Sequence, residues 1–429
     1  MDMVFDAQFR IIKDAFAARG VEVAVAYTPD GEVDYLYEAG RLLARDRDVA
    51  RIAEALPPGL ERLDRRSRGE LAVLSLDRVA GGAMTVPEAL ALVEQRLGAG
   101  PRPIDRRPGH ESPAGPAGEE PRAPVATPVH VLHISRLCPG TEPEVPPGDP
   151  AVPWPPPCEA GETVREVTIG VCDTGWLQLD VAAYPWLDGV SGDPEPLGPP
   201  SPISGLPRIP AFRGHGTFVA GVAKCQAPTA AVSVADHFST SGAELEDVMI
   251  AKLEALVSQS PAPDVINLSA GTYTRDNWSS LGFELFQQAH PDVVLVAAAG
   301  NDGTDRPFYP AAYDWAVSVG ALGPDQAHRA WFSNHGPWVD VYALGEGHVN
   351  AYATGEYTYQ EPPKRPAVQN FAGMARWDGT SFAAPLVAGL IADRMARTGE
   401  SAQDARAAVL ASAQDLPGVG RAVFPCGQA

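Results

Sequence analysis

The pattern of apolar and polar positions changes character at Val164. Beyond it, short continuous runs of Val, Ile and Ala recur: EVTIGVCD at 166–173, TAAVSVAD at 229–236, PDVINLSA at 263–270, DVVLVAAAG at 292–300 and WAVSVGAL at 315–322. They alternate with stretches of helical spacing such as AELEDVMIAKLEALVSQ at 243–259. Runs without polar alternation belong to strands buried on both faces, the pattern of a parallel sheet covered by helices on each side. The predicted body is α/β, a doubly wound, mostly parallel sheet flanked by helices. No apolar run approaches the ~18 residues of a membrane span, and no internal repeat is seen.

Before Val164 the chain is charged and periodic. RLLARD reads as a strand, RDVARIAEAL as a helix, LERLDR and GELAVLSLD as strands, VPEALALVEQRL as a helix and VHVLHIS as a strand. That β-α-β-β-α-β series predicts an α+β domain of the ferredoxin-like, split β-α-β type. Two Pro/Gly-rich stretches, 101–127 and 138–162, punctuate it. The expected organisation is an N-terminal domain over 1–137 with a linker at 101–127, a Pro-rich linker over 138–163, and a main domain over 164–429. The opening MDMVFDAQFRIIKDAFAARG has helical spacing and no apolar core of signal-peptide length, so a cytoplasmic location is expected. His130 and His133, three apart on a strand, point to opposite faces and make a poor metal pair.

Composition narrows the partners. With 45% hydrophobic and 20% charged residues among 429, the chain is globular, and its 43 prolines and 42 glycines imply long irregular segments. A net charge of −21 argues against nucleic acid and against anionic membrane surfaces, both of which reward clustered Lys and Arg. Cys138, Cys158, Cys172, Cys225 and Cys426 show no C-x-x-C spacing, and the odd count leaves a free thiol. They are expected to be reduced and packed, with Cys138 and Cys158 the pair placed to bridge in an oxidising compartment.

Candidate chemistry lies at strand ends and helix starts. In RWDGTSFAAPLVAGL, Ser381 opens a helix of small residues, and Pro385 denies the Ser381 carbonyl its usual intrahelical donor. The Thr380 and Ser381 hydroxyls suit simple helix caps, yet the helix N-terminus also favours developing negative charge. Asp173 ends VTIGVCD, and His215 stands between two glycines in RGHGTFVAGVA. Orienter, base and nucleophile in the order Asp173, His215, Ser381 make the set that acyl transfer needs, because serine alone is a poor nucleophile at neutral pH. Asn301, after VLVAAAG, supplies a side-chain amide for the oxyanion.

VCDTGW, GHGTFVAGV, NLSAG, AAAGN and DGTSFAAPLVAG follow one another over roughly residues 164–415. In this order they resemble the subtilases, the subtilisin-like serine peptidases. The resemblance implies a subtilisin-like fold and serine endopeptidase activity on a protein or peptide substrate, with Asp173, His215 and Ser381 as the triad and Asn301 as the oxyanion donor. It implies that Ser269, Ala270 and Gly271 form the strand that pairs with the substrate backbone, with Ala298, Ala299 and Gly300 as the opposite wall of the primary specificity pocket. Small residues there imply an open pocket that takes a sizeable apolar side chain. The N-terminal series is similar in element order to the family's propeptide, which implies a zymogen whose own N-terminal domain is an intramolecular inhibitor, and self-cleavage between about Arg136 and Glu166.

There are departures from the family pattern. The His215 helix runs almost directly into APTAAVSVAD, leaving little room for the calcium loop of many secreted relatives. No metal or other cofactor is expected there; Asp180 and the acidic loops are at most a weak Ca²⁺ site, and SGDPEPLG at 191–198 reads as a solvated loop. Cys172 and Cys225 fall near the site as packing residues. GEYTYQEPPKRPAVQNFAGMARW at 355–377 reads as an insertion that shapes the cleft. The same residues would serve transpeptidation, and a catalytically silent or permanently restrained peptide-binding module is the contrasting reading.

Overall fold

A computed structural model describes residues 3–28, 30–63, 70–98, 124–134, 142–148, 152–238, 241–361 and 363–427. The N-terminal region contains α1 (Met3–Ala17), β1 (Val23–Tyr27), β2 (Val33–Arg45), α2 (Val49–Ala55), β3 (Glu61–Leu63), β4 (Leu71–Ser75), α3 (Val86–Leu97) and β5 (Ala126–Ile134). Local chemistry accounts for its sharpest element. Thr85 caps α3 in a reciprocal box with Glu88, and Pro87 occupies the first turn. β2 pairs antiparallel with β4 and β5, and β3 with β4, giving the order β5-β2-β4-β3. β1 pairs with the first half of β2 and was not foreseen from the sequence.

The body begins with β6 (Thr168–Asp173), β7 (Val190–Gly192), β8 (Arg208–Ile209), α4 (His215–Gln226), β9 (Ala231–Asp236), β10 (Ala243–Leu245) and α5 (Glu246–Val257). It continues through β11 (Val265–Leu268), β12 (Ala270–Gly271), α6 (Leu281–Ala289), β13 (Val294–Ala298), β14 (Val317–Leu322) and β15 (Val341–Leu344). Last come β16 (His348–Thr358), β17 (Val368–Trp377), α7 (Thr380–Thr398), α8 (Ala402–Ala411), β18 (Gln414–Leu416) and β19 (Gly420–Ala422). Nine strands form the central sheet in the order β18-β19-β15-β14-β13-β11-β6-β9-β7, and every neighbouring pair but β18-β19 is parallel.

The central strands β6, β11 and β13 each feed two cores, as an unbroken apolar run requires. Val294, Val296 and Ala298 of β13 join the core under α4 and α7, whereas Leu295 and Ala297 join the one under α5 and α6. From β6 the chain moves out to β9 and then crosses back to β11 on the other side, so strand order reverses beside β6. Such a reversal opens a crevice beyond the carboxyl ends of the strands, where Asp173 ends β6 and Ser269 follows β11.

The Pro-rich stretch is a strap on this body where a tether was expected. Glu142 is buried and accepts from the Tyr357 hydroxyl (3.0 Å) and the Gln360 N–H (2.9 Å). Glu144 bridges to Arg376, Trp154 to Val349, and Val164 N–H donates to Ala396 O at 2.8 Å. Cys158 forms a disulfide with Cys426, 268 residues away in sequence, so the expected Cys138–Cys158 pair is replaced. Cys138 and residues 101–123 lie outside the described residues.

β5 joins the two regions. It pairs antiparallel with β10 (Leu132 opposite Glu244) and with β12 (His133 opposite Gly271, Ile134 opposite Ala270). One apolar core spans the boundary, with Phe16, Leu43 and Val131 packed among Leu245, Met249 and Phe286. Ion pairs ring it: Arg45–Glu284 and Arg19–Glu244 at 3.3 Å each, together with Arg275–Glu94 and Arg306–Asp34. The two strand histidines part as expected. His130 meets Glu246 at 2.8 Å with both side chains buried, and His133 lies against Phe308. No helix among the described residues is long and apolar enough to cross a membrane.

Candidate active site

Asp173, His215, Ser381 and Asn301 converge at the carboxyl ends of the parallel strands, each no more than 3% exposed. Asp173 Oδ1 lies 2.7 Å from His215 Nδ1 and accepts the Thr174 N–H at 2.9 Å. That contact assigns the Nδ1 proton to the carboxylate side and leaves Nε2 for a hydroxyl. Glycine makes the approach feasible, because a Cβ on Gly216 would stand 2.7 Å from Gly175 O and 3.1 Å from Asp173 Cβ. The imidazole packs edge-on against Trp377 (5.3 Å between ring centroids) and against Phe382 (5.4 Å), the residue after Ser381. Trp377 ends β17, so the 355–377 segment contributes directly to this wall.

Neither hydroxyl at the head of α7 caps the helix, whose N-cap is Gly379. Thr380 donates to Asn301 Oδ1 through both its N–H (3.0 Å) and its hydroxyl (2.8 Å), and the hydroxyl also accepts the Gly300 N–H. With Oδ1 held, the Asn301 amide group turns toward Gly379. Ser381 and Ser269 are tied reciprocally. The Ser269 hydroxyl donates to the Ser381 carbonyl at 2.9 Å, filling the vacancy that Pro385 creates, and the Ser381 hydroxyl donates to the Ser269 carbonyl at 3.4 Å. Asn267 in turn donates to the Ser269 hydroxyl at 2.9 Å.

One expectation about the surroundings is overturned. SGDPEPLG is no solvated loop at Glu195, whose side chain is 0% exposed, accepts the Gly214 N–H at 3.0 Å and lies 3.6 Å from Arg213. It thus buttresses the residue before His215. The sequence offered no signal beyond one acidic residue among prolines. Phe308 stands between Gly271 and Gly300, in the space between the two stretches of small residues. Cys172 and Cys225 are buried free thiols; burial raises both, Cys225 to about 12, consistent with packing. Asp180 accepts the Ala182 N–H in a turn, and no group of three or more metal-ligating side chains forms among the described residues.

Burial pushes the Glu195 carboxyl up to about 8, against the pull of Thr174, Arg213 and the Gly214 N–H, with Asp173 adding to the rise. A carboxyl that binds its proton more tightly when folded stabilises the protein fully below its unfolded pKa and loses that contribution as pH rises through the folded value. Glu195→Gln is therefore expected to flatten the fall in stability between about pH 4.5 and 8. Denaturant titrations at both ends of that window check it; an unchanged slope would place the ionisation elsewhere.

Residues 165–428 match the model of the Subtilase family, and the chain belongs to that family. It is similar to the thermophilic serine proteinase of Bacillus sp. (strain AK1), 31% identical over 61% of this chain and 58% of the other. Thermitase of Thermoactinomyces vulgaris is 31% identical over 48% of this chain and 70% of its own. The chain thus spans little more than half of the Bacillus relative. In three dimensions it is similar to fervidolysin from Fervidobacterium pennivorans, over 91% of this chain and 60% of that one, at TM-score 0.54 and 19% identity. At that identity the likeness is one of fold.

Proposed function

We propose that the protein is a serine endopeptidase that hydrolyses peptide bonds through an acyl-enzyme on Ser381, made as a zymogen restrained by its N-terminal region. The observation that carries the reading is the buried 2.7 Å Asp173–His215 contact beside the head of α7, in a chain of the Subtilase family. His215 takes the Ser381 proton as the oxygen attacks the substrate carbonyl, then gives it to the leaving amine as the C–N bond breaks; water repeats the sequence on the ester. Asp173 holds the tautomer and stabilises the imidazolium. The Asn301 amide and the Ser381 N–H receive the oxyanion. The long 3.4 Å bond from Ser381 to Ser269 is weak, so a rotation about Cα–Cβ exchanges it for His215 when substrate enters.

The restraint follows from strand addition. An extended substrate is recognised by completing a sheet edge, and β5 already pairs with both β10 and β12. Ile134, the last residue of β5, stands opposite Ala270, the neighbour of Ser269, whose carbonyl accepts the Ser381 hydroxyl. The bond proposed for self-cleavage is Ser135–Arg136, and a cut there leaves the strap from Glu142 onward attached to the body. The Cys158–Cys426 disulfide favours work in an oxidising compartment over the cytoplasm expected from the N-terminus.

Intact-mass spectrometry of wild type and Ser381→Ala after a fluorophosphonate probe tests the reading. Probe mass on wild type alone, with a new N-terminus at Arg136, is the expected result. Full-length, unlabelled wild type after prolonged incubation would reject it.

A further inference from the structure

The gap between residues 269–271 and 298–300 is filled by a side chain of the protein itself. Phe308 is 0% exposed. A Cβ on Gly271 would stand 2.5 Å from its Cε1, and a Cβ on Gly300 would stand 3.2 Å from its Cδ1, so the ring reaches from one wall to the other. Its position is locked on several sides. The next residue, Tyr309, exchanges backbone hydrogen bonds of 2.8 and 2.9 Å with Thr272, just beyond β12. The Tyr273 ring packs against Phe308 at 5.1 Å between centroids, and His133 of β5 packs at 6.1 Å. Tyr273 is held in turn by Asp302 (2.6 Å) and Asn334 (3.0 Å).

We infer that Phe308 is a specificity-determining residue that shortens the primary pocket, restricting cleavage to peptides with a small residue, Gly, Ala or Ser, before the scissile bond. This rests on the endopeptidase reading and names its substrate class. A Leu, Phe or Tyr side chain entering between the walls would overlap the ring. The ring is held by Tyr273 and by the two glycine walls, and a closely packed interior accommodates an extra methylene only with strain. Departure of the N-terminal region removes the His133 contact but leaves Tyr273 and both glycines in place. The bond proposed for self-cleavage agrees, since Ser135 is small.

The test digests denatured casein with wild type, Phe308→Gly and Phe308→Leu, and reads the C-terminal residue of every product by mass spectrometry, with fluorophosphonate labelling of the same preparations. Wild type is expected to cut after Gly, Ala and Ser at least about 10-fold more often than after Leu, Phe and Tyr, within the range by which pocket size discriminates. Phe308→Gly is expected to raise the bulky class by about 10-fold or more while keeping the small one, and Phe308→Leu to stay close to wild type. Labelled wild type that cuts equally well after bulky residues overturns the inference alone, as does a folded Phe308→Gly with unchanged preference. If Phe308→Gly does not fold, the wild-type ratio decides. Wild type that neither labels nor cuts rejects the endopeptidase reading, and the inference falls with it.

Discussion

Replacing Asp173 by asparagine is expected to lower kcat by roughly 10⁴-fold with the fold intact, the loss associated with a mis-set histidine tautomer. Asp173 Oδ1 accepts from both the Thr174 N–H and His215 Nδ1, at 2.9 and 2.7 Å. An asparagine that kept the Thr174 bond would retain one acceptor and place an NH₂ group where the carboxylate's second oxygen stands. Flipped, it would present that NH₂ to His215, favour the Nδ1-acceptor tautomer and put the proton on Nε2, where Ser381 needs a base. No solvent reaches the site to relieve the mismatch, since Asp173 is 0% exposed. Fluorophosphonate labelling of Ser381 should slow in parallel with peptide cleavage. Labelling at the wild-type rate would remove Asp173 from the mechanism.

Asn301→Ala is expected to cost about 10²–10³ in kcat with little change in KM, a magnitude taken from the equivalent donor of a subtilisin, a relative of this chain. The expectation rests on an amide held before the reaction begins: two bonds from Thr380, at 3.0 and 2.8 Å, fix Oδ1 and hence the direction of the amide. An interaction made only with the oxyanion changes kcat and kcat/KM together. A rise in KM at constant kcat would instead mean that Asn301 binds ground-state substrate, and a fall in melting temperature that matched the loss of activity would point to the Thr380 contact as its main role.

Much of the body was legible from short-range signals. Strands β6, β11, β13 and β14 each coincide with an apolar run, because burial on two faces leaves little polar alternation to write. α3 spans 86–97 as read, since Pro87 and the Thr85–Glu88 box mark its start locally. β1 escaped because Val23–Tyr27 pairs only with β2 and carries a mostly half-buried pattern. The 142–163 strap escaped for a different reason. Proline-rich composition describes a chain without regular structure, yet Glu142, Trp154 and Cys158 find their partners at Tyr357, Val349 and Cys426, far along the sequence.

The sequence by itself determined the architecture of the body and singled out Asp173, His215, Ser381 and Asn301 as candidates, because each lies at or just beyond a strand end or at a helix start. It also held Pro385, whose missing N–H announced that the Ser381 carbonyl needed another donor. Only the tertiary structure decided that the donor is Ser269, that Glu195 is buried beside the residue preceding His215, and that Phe308 closes the space between two walls of small residues. The reason is physical. A strand run or a helix start is governed by neighbours a few residues away, whereas an empty pocket and a filled one differ by a single ring brought in from elsewhere in the chain by packing.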